Sequence, residues 1–405
     1  MPHFTNVVDG ATIKTQQYTL RRKKGFIMNH DITNEVLAEF STAFSSNPVN
    51  RIAMNAVTSA GLLAASKNPM AQRESRHSYS ISLEQGEITN QKQSGRCWMF
   101  AALNTFRFEV MKNLNLKTFE LSQNYTLFYD KLEKSNYFLE SILETLDEPT
   151  QGRLISFLLS APLGDGGQWD MLCNLVRKYG VVPKEAMPET VSSSATREMT
   201  SALTRKLRED ACRLRKAYAD GSTLDELRQK KEAMMEEIYR VLCICLGEPP
   251  KTFDLEVTDK DDKFIRDTNL TGTAFFEKYV GLNLDDYVSL INAPTADKPY
   301  HRSYSVKFLG NVKEGCPVRY LNLPIEELKK AAIAQMKDGS PVWFGCDVGK
   351  DSSRDEGLLD TNTYQTDKLL GVTFGMNKAE RLEYGESLMT HAMVFQGVNL
   401  DEEGK

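Results

Sequence analysis

The chain has 405 residues, 41% of them apolar and 26% charged, which is enough apolar material for a sizeable core and excludes a disordered chain. The 50 Lys and Arg against 55 Asp and Glu leave a formal charge of −5, spread along the sequence, which argues against nucleic-acid binding as the main task. No stretch approaches the roughly 18–20 apolar residues that a membrane helix needs, so no membrane partner is expected.

Residues 1–27 carry the basic cluster Arg21-Arg22-Lys23-Lys24 with no apolar run behind it, which is not the pattern of a secretory signal; they read as a flexible basic extension. Met28 is a second plausible start. Residues 28–96 read as N-terminal helices, with Val36, Leu37, Phe40 and Phe44 at helical spacing, followed by a polar, extended stretch from Arg73 to Asn90. A loop then ends at Ser94-Gly95 and a strong helix begins, with Met99, Phe100, Leu103, Phe106 and Val110 predicted to line one face. Through residue 194 the texture stays helical, broken at Ala161–Gly167, with a helix from Trp169 to Tyr179 stopped by Gly180. Residues 195–320 read as an insertion. It opens with a charged helical hairpin over 195–246, broken at Ala219–Thr223, and continues with strands such as Thr252–Val257, ended by a turn at Asp259–Asp262. In residues 321–405, Leu323-Pro324 leads into a helix Ile325–Lys337, ended at Gly339, and Pro341–Gly345 and Thr390–Val398 suit short buried strands. The class is α+β.

Seven cysteines, at 97, 173, 212, 243, 245, 316 and 346, are odd in number and irregular in spacing, which points to a reducing cytoplasm rather than a disulfide framework. The five histidines, at 3, 30, 77, 301 and 391, include no pair at metal-ligand spacing, so no metal or other cofactor is expected. Cys243-Ile244-Cys245 lies in a helical run and reads as core packing.

Chemistry concentrates at two residues. A nucleophilic cysteine must be a thiolate, whereas a free thiol has a pKa of ~8.5. A helix N-terminus supplies about half a positive charge and unused N–H groups, and an adjacent imidazole can take the proton. Cys97 falls at such a helix start, and Gln91 and Gln93 upstream each offer an amide that could join the Cys97 N–H as an oxyanion donor. His391 stands in an apolar strand, where an unpaired ring would be costly. The other histidines lie in terminal or polar segments.

Gln91-Lys-Gln-Ser-Gly-Arg-Cys97-Trp98 resembles the active-site segment of papain-like cysteine peptidases, in the variant of the bleomycin hydrolase and bacterial aminopeptidase C branch. Papain has a second cysteine where this chain has Ser94. Asp165-Gly-Gly-Gln-Trp169, Pro341-Val-Trp-Phe-Gly-Cys-Asp347 and Thr390-His391-Ala-Met-Val394 match the branch in the same order, so the resemblance runs from about Met28 to the end. It implies a two-lobed fold: a helical lobe over 97–194 with Cys97 as nucleophile, and a β-barrel-like lobe over 321–405 with His391 as general base and acid. It also implies Gln91 as the oxyanion donor, Trp98 packing behind the nucleophile, and Gly166-Gly167 pairing with an extended peptide substrate. The implied enzyme is a cytoplasmic aminopeptidase acting on short peptides through an acyl-enzyme, with bleomycin-hydrolase-like amidase activity alongside.

The spacing adds to this. His391 lies 294 residues after Cys97, against ~130–150 in ordinary papain-like enzymes, so about 150 residues are extra. In this branch such insertions are associated with a homohexameric barrel enclosing the active sites. The family also pairs its histidine with an asparagine some twenty residues later, whereas 14 residues follow His391 here. Asn399, eight residues on, would lie ~26 Å away along an extended strand. The expectation is therefore a truncated β lobe in a fragment of a longer protein, impaired in turnover and with Ala392–Val398 at an open sheet edge. The competing reading is a non-catalytic oligomeric or nucleic-acid-binding scaffold on the same fold. A metal or redox protein lacks the clustered ligands it would need.

Overall fold

The computed structural model describes residues 31–75 and 77–404; the basic cluster Arg21–Lys24, Met28, His3 and His30 lie outside them. In chain order the helices are α1 (Asn34–Ser46), α2 (Pro48–Ala60), α3 (Leu62–Ser66), α4 (Pro69–Glu74), α5 (Cys97–Asn113), α6 (Gln123–Leu143), α7 (Arg153–Ser160), α8 (Trp169–Tyr179), α9 (Val191–Ser194), α10 (Arg197–Ala219), α11 (Leu224–Leu246), α12 (Gly272–Phe275), α13 (Ile325–Lys337), α14 (Thr366–Leu370) and α15 (Lys378–Glu383). The strands are β1 (Ile81–Ser82), β2 (Phe253–Thr258), β3 (Phe264–Leu270), β4 (Leu290–Ile291), β5 (Arg302–Ser305), β6 (Arg319–Asn322), β7 (Val342–Cys346), β8 (Ser352–Ser353), β9 (Leu358–Leu359), β10 (His391–Phe395) and β11 (Gly397–Val398). The described residues fall into two compact units, one of residues 31–75 with 351–375, the other of residues 77–350 with 376–404.

In the first unit, α1 and α2 begin at good caps: Thr33 accepts the Val36 N–H, and Asn47 accepts the Val49 N–H with Pro48 at the first helical position. The predicted periodicity is there, but neither helix buries a residue, and Leu37, Phe40, Phe44, Val49 and Ile52 are exposed. Asn68 ties this part to the second segment of the unit: its amide N–H reaches Thr363 O at 3.0 Å and its side chain reaches Asn362 O at 3.0 Å. The stretch expected to be extended from Arg73 begins inside α4, because Asn68 caps that helix and Pro69 opens it.

The second unit is built around α5. The expectation of one apolar face is corrected here: Trp98, Met99, Phe100, Ala101, Ala102, Leu103, Phe106 and Val110 are all buried, so the helix is enclosed on every side. Its neighbours include α6, α8 and the β7–β10 pair. Helix α8 stops where expected, at Gly180, whose φ of +70° favours glycine and where a Cβ would fall 1.9 Å from the Gly272 carbonyl carbon. The hairpin α10–α11 turns at Gly221, and a reciprocal Thr223–Glu226 capping box starts its second helix. Both arms pack on α6, burying Leu203, Leu207 and Leu214 from one and Leu227, Ile238 and Leu242 from the other.

Sheets are small. β2–β3 form an antiparallel hairpin, β4-β6-β5 a three-stranded sheet, and β7 pairs antiparallel with β10 in the register Cys346 to His391 and Val342 to Phe395. Gly397–Val398 do not lie at an open edge: they pair with Ile81–Ser82. The Leu400 N–H then reaches Ser80 Oγ at 3.0 Å. Asn399 is therefore carried toward β1.

Candidate active site

The loop before α5 is held by its own polar atoms. The Gln91 side-chain amide donates to the Ser94 carbonyl at 2.6 Å, and the Ser94 hydroxyl donates back to the Gln91 carbonyl at 2.6 Å. One of the two Gln91 amide hydrogens is thus used within the loop itself. Lys92 takes a left-handed φ of 54°, with its N–H on the Asn90 side chain at 2.8 Å. Gln93 is drawn elsewhere, its backbone N–H meeting Ser194 O at 2.9 Å.

Arg96 anchors the end of the loop. Its guanidinium is fully buried and forms a two-pronged pair with Glu189 at 2.8 and 2.7 Å, while Nε donates to Ser94 Oγ at 2.9 Å. Such a fork fixes direction as well as distance. Cys97 follows as the first residue of α5, half-buried, with Arg96 in the cap position and no side chain capping the helix. Seventeen residues of helix thus present their positive end and unused N–H groups beside the Cys97 thiol.

Trp98 is buried, its indole N–H donating to the Asp165 carbonyl at 2.7 Å. Gly167 lies against it so closely that a Cβ would fall 2.6 Å from the indole ring, whereas one at Gly166 would meet nothing. The Gly166 carbonyl instead accepts from Lys134 at 2.6 Å.

His391 opens β10, half-buried, and the preceding Thr390 donates its N–H to Cys346 O at 3.0 Å. Both β10 and β7 pack on α5, and the Trp343 indole of β7 donates to the Trp98 carbonyl at 3.0 Å. The elements headed by Cys97 and His391, remote in sequence, are therefore docked on each other. The other described histidines are elsewhere: His77 and His301 are exposed, the latter 3.7 Å from Glu327. Cys243 and Cys245 pack partly buried against the core, as the helical pattern suggested.

Beneath the loop lies a polar layer that sequence reasoning did not find. Lys131, fully buried, pairs with Asp165, and Lys134 pairs with Asp130 at 2.8 Å. Burial on its own would raise the Asp165 carboxyl, but the Lys131 charge and hydrogen bonds from Lys131, Thr196 and Gly95 hold it well below the usual carboxylate range. Burial raises the Cys346 thiol, assisted by the charge of Asp347, so this second cysteine near His391 is a poor thiolate.

The model of the Peptidase C1-like family matches residues 31–405. The chain belongs to that family. Among its relatives, this Peptidase C1-like chain is similar to aminopeptidase C of Streptococcus thermophilus, 49% identical over 378 residues covering 93% of this chain and 84% of that protein. It is also similar to human bleomycin hydrolase, 43% identical over 375 residues covering 91% and 82% respectively. A crystal structure of PepW from Lactobacillus rhamnosis HN001 superposes with a TM-score of 0.91 at 51% identity, over 93% of this chain and 84% of that one. The likeness establishes the papain-like mixture of helix and sheet that the four motifs implied.

Proposed function

We propose that Cys97 is the nucleophile and His391 the general base and acid of a cysteine aminopeptidase; the enzyme class itself follows from kinship with aminopeptidase C and bleomycin hydrolase. The observation that carries the residue assignment is Cys97 at the uncapped head of α5, with the strand that opens at His391 packed on the same helix. In this reading His391 takes the Cys97 proton, and the thiolate attacks the scissile carbonyl. The Cys97 N–H and the second Gln91 amide hydrogen receive the oxyanion. His391 then protonates the departing amine, leaving a thioester on Cys97, and finally removes a proton from the water that hydrolyses it. The Gly166 carbonyl is already engaged by Lys134, which makes Gly167 the better of the two glycines for pairing with substrate backbone, while Trp98 supports that glycine from behind.

The substrates on this reading are short peptides with a free amino terminus, with amides of the kind that human bleomycin hydrolase is named for as a secondary class. Seven unpaired cysteines support a reducing, cytoplasmic setting. The exposed apolar row Leu37, Phe40 and Phe44, with Val49 and Ile52, supports assembly into a homo-oligomer, a hexamer by resemblance. Among the described residues no helix is long and apolar enough to cross a membrane.

Alkylation tests the nucleophile. Cys97 should react faster than the other six cysteines, and its rate should persist below pH 7, where an ordinary thiol is almost silent. Labelling of Cys97 no faster than that of exposed Cys212, with both rising together near pH 8.5, would remove the assignment.

A further inference from the structure

We propose that Asp165 is a positioning residue that clamps the Cys97 loop to helix α10, so that the long helical hairpin sets the geometry of the oxyanion site. The proposal rests on Cys97 being the nucleophile. Three parts of the chain converge on this one carboxylate. Oδ2 accepts the Gly95 N–H at 3.1 Å and the Thr196 hydroxyl at 2.6 Å. Oδ1 accepts the Thr200 hydroxyl at 3.2 Å and the Lys131 ammonium. The backbone carbonyl of the same residue receives the Trp98 indole at 2.7 Å. Asp165 thus holds the residue two before Cys97 and the residue just after it.

The approach is close. A Cβ on Gly95 would fall 2.5 Å from Asp165 Cβ, so only glycine lets the amide reach the carboxylate. Gly95 and Arg96 are the last peptide units before Cys97, and their planes fix where the Cys97 N–H points. Thr196 and Thr200 stand at the start of α10, at its cap and one turn inside. The flanking carbonyls are pinned as well: Gly164 by Lys131 and Lys134 at 3.1 and 3.2 Å, and Gly166 by Lys134 at 2.6 Å. Lys131 is fully buried and Lys134 nearly so, so none of these groups can exchange its partner for water without cost. A surface loop would gain little from such contacts; an oxyanion donor, whose value depends on its position within about half an ångström, gains much.

The test compares four variants by kcat, KM and the pH profile of Cys97 alkylation. Asp165→Ala should lower kcat roughly 10- to 100-fold with KM within about threefold, because donor placement rather than ground-state binding is lost. The same variant should displace the alkylation profile to higher pH, because the helix start no longer faces the thiol squarely. The double variant Asp165→Asn with Lys131→Met should recover kcat to within about fivefold, since a neutral oxygen still accepts the Gly95 N–H and no buried cation is stranded. Asp210→Asn removes a still more buried carboxylate of α10 that pairs with Lys206, far along the helix from the loop; it should lower Tm and leave kcat and the profile unchanged. If Asp165→Ala does not fold, Thr196→Val takes its place, with a several-fold fall in kcat and the same displacement of the profile. Native kcat and a native profile in Asp165→Ala, or in Thr196→Val as its substitute, would overturn the proposal. Activity surviving in Cys97→Ala would instead defeat the nucleophile assignment, whatever Asp165 does.

Discussion

Helix α5 and the pair α1–α2 are all rich in apolar residues, yet they sit in opposite surroundings. α5 buries side chains all round its circumference, whereas α1 and α2 bury none, and Phe40 is 58% and Ile52 69% exposed. The difference is one of cover. An apolar stripe stabilises a protein only when something removes it from water, at roughly 25 cal/mol per Å². α5 obtains that cover within its own unit, and the same packing holds the helix that Cys97 heads. α1 and α2 hold their form by caps and propensity and present their apolar side chains outward.

The largest effect that sharpens the contrast lies at the head of α5. Cys97→Ala should reduce peptide turnover by roughly 10⁴-fold or more, as removal of a nucleophile does elsewhere, with unfolding by denaturant little changed. In the body of the same helix, Phe106→Ala should cost about 3–5 kcal/mol of stability, because Phe106 is fully buried between the Trp169 and Phe276 rings; chemical denaturation measures it. Gly167→Ala should cost about 1–3 kcal/mol, since the new methyl must displace the Trp98 ring. Gly166→Ala, in open space, should stay within about 0.5 kcal/mol. On α1, Phe40→Ser should likewise stay within about 0.5 kcal/mol for the isolated chain, yet lower the sedimentation coefficient if that face joins subunits. A cost of several kcal/mol at Phe40 in a monomer would erase the contrast. The smallest effect is a pH dependence. Burial pushes the Cys173 thiol of α8 up to about 12 from an ordinary 9.0. The raised value means its contribution to stability is whole below pH 9 and fades as the pH climbs from there toward 12. Folded protein should therefore leave Cys173 unlabelled at pH 8, and labelling there as fast as at exposed Cys212 would contradict the burial.

Much of this was legible in the residues because the signals were local. Gly180 after Tyr179, and Thr223 three residues before Glu226, announce a helix end and a helix start through backbone chemistry that acts within one turn. The segment around Cys97 was legible for the same reason. The polar layer under it was not. Lys131 and Lys134 look like solvated charges on a helix, and their partners Asp165, Gly164 and Gly166 lie some thirty positions away. The apolar residues of α5 run round most of its circumference, the pattern of an enclosed helix, whereas those of α1 gather on one face, and that pattern does not say what covers the face. Ala392–Val398 read as one run, but the chain changes partner within it, from β7 to β1.

Ser94 has a consequence for redox chemistry. A thiol peptidase needs reductant to keep its nucleophile uncapped, and a loop stapled by a disulfide would be loosened by the same reductant if the bond were strained or exposed. Here the Ser94 hydroxyl sits between the Gln91 carbonyl and the Arg96 guanidinium, and Glu189 closes the set. Nothing in that clamp carries electrons. If Cys97 is the nucleophile proposed above, dithiol added to keep it reduced leaves these contacts untouched, so activation and structural integrity are set by separate variables.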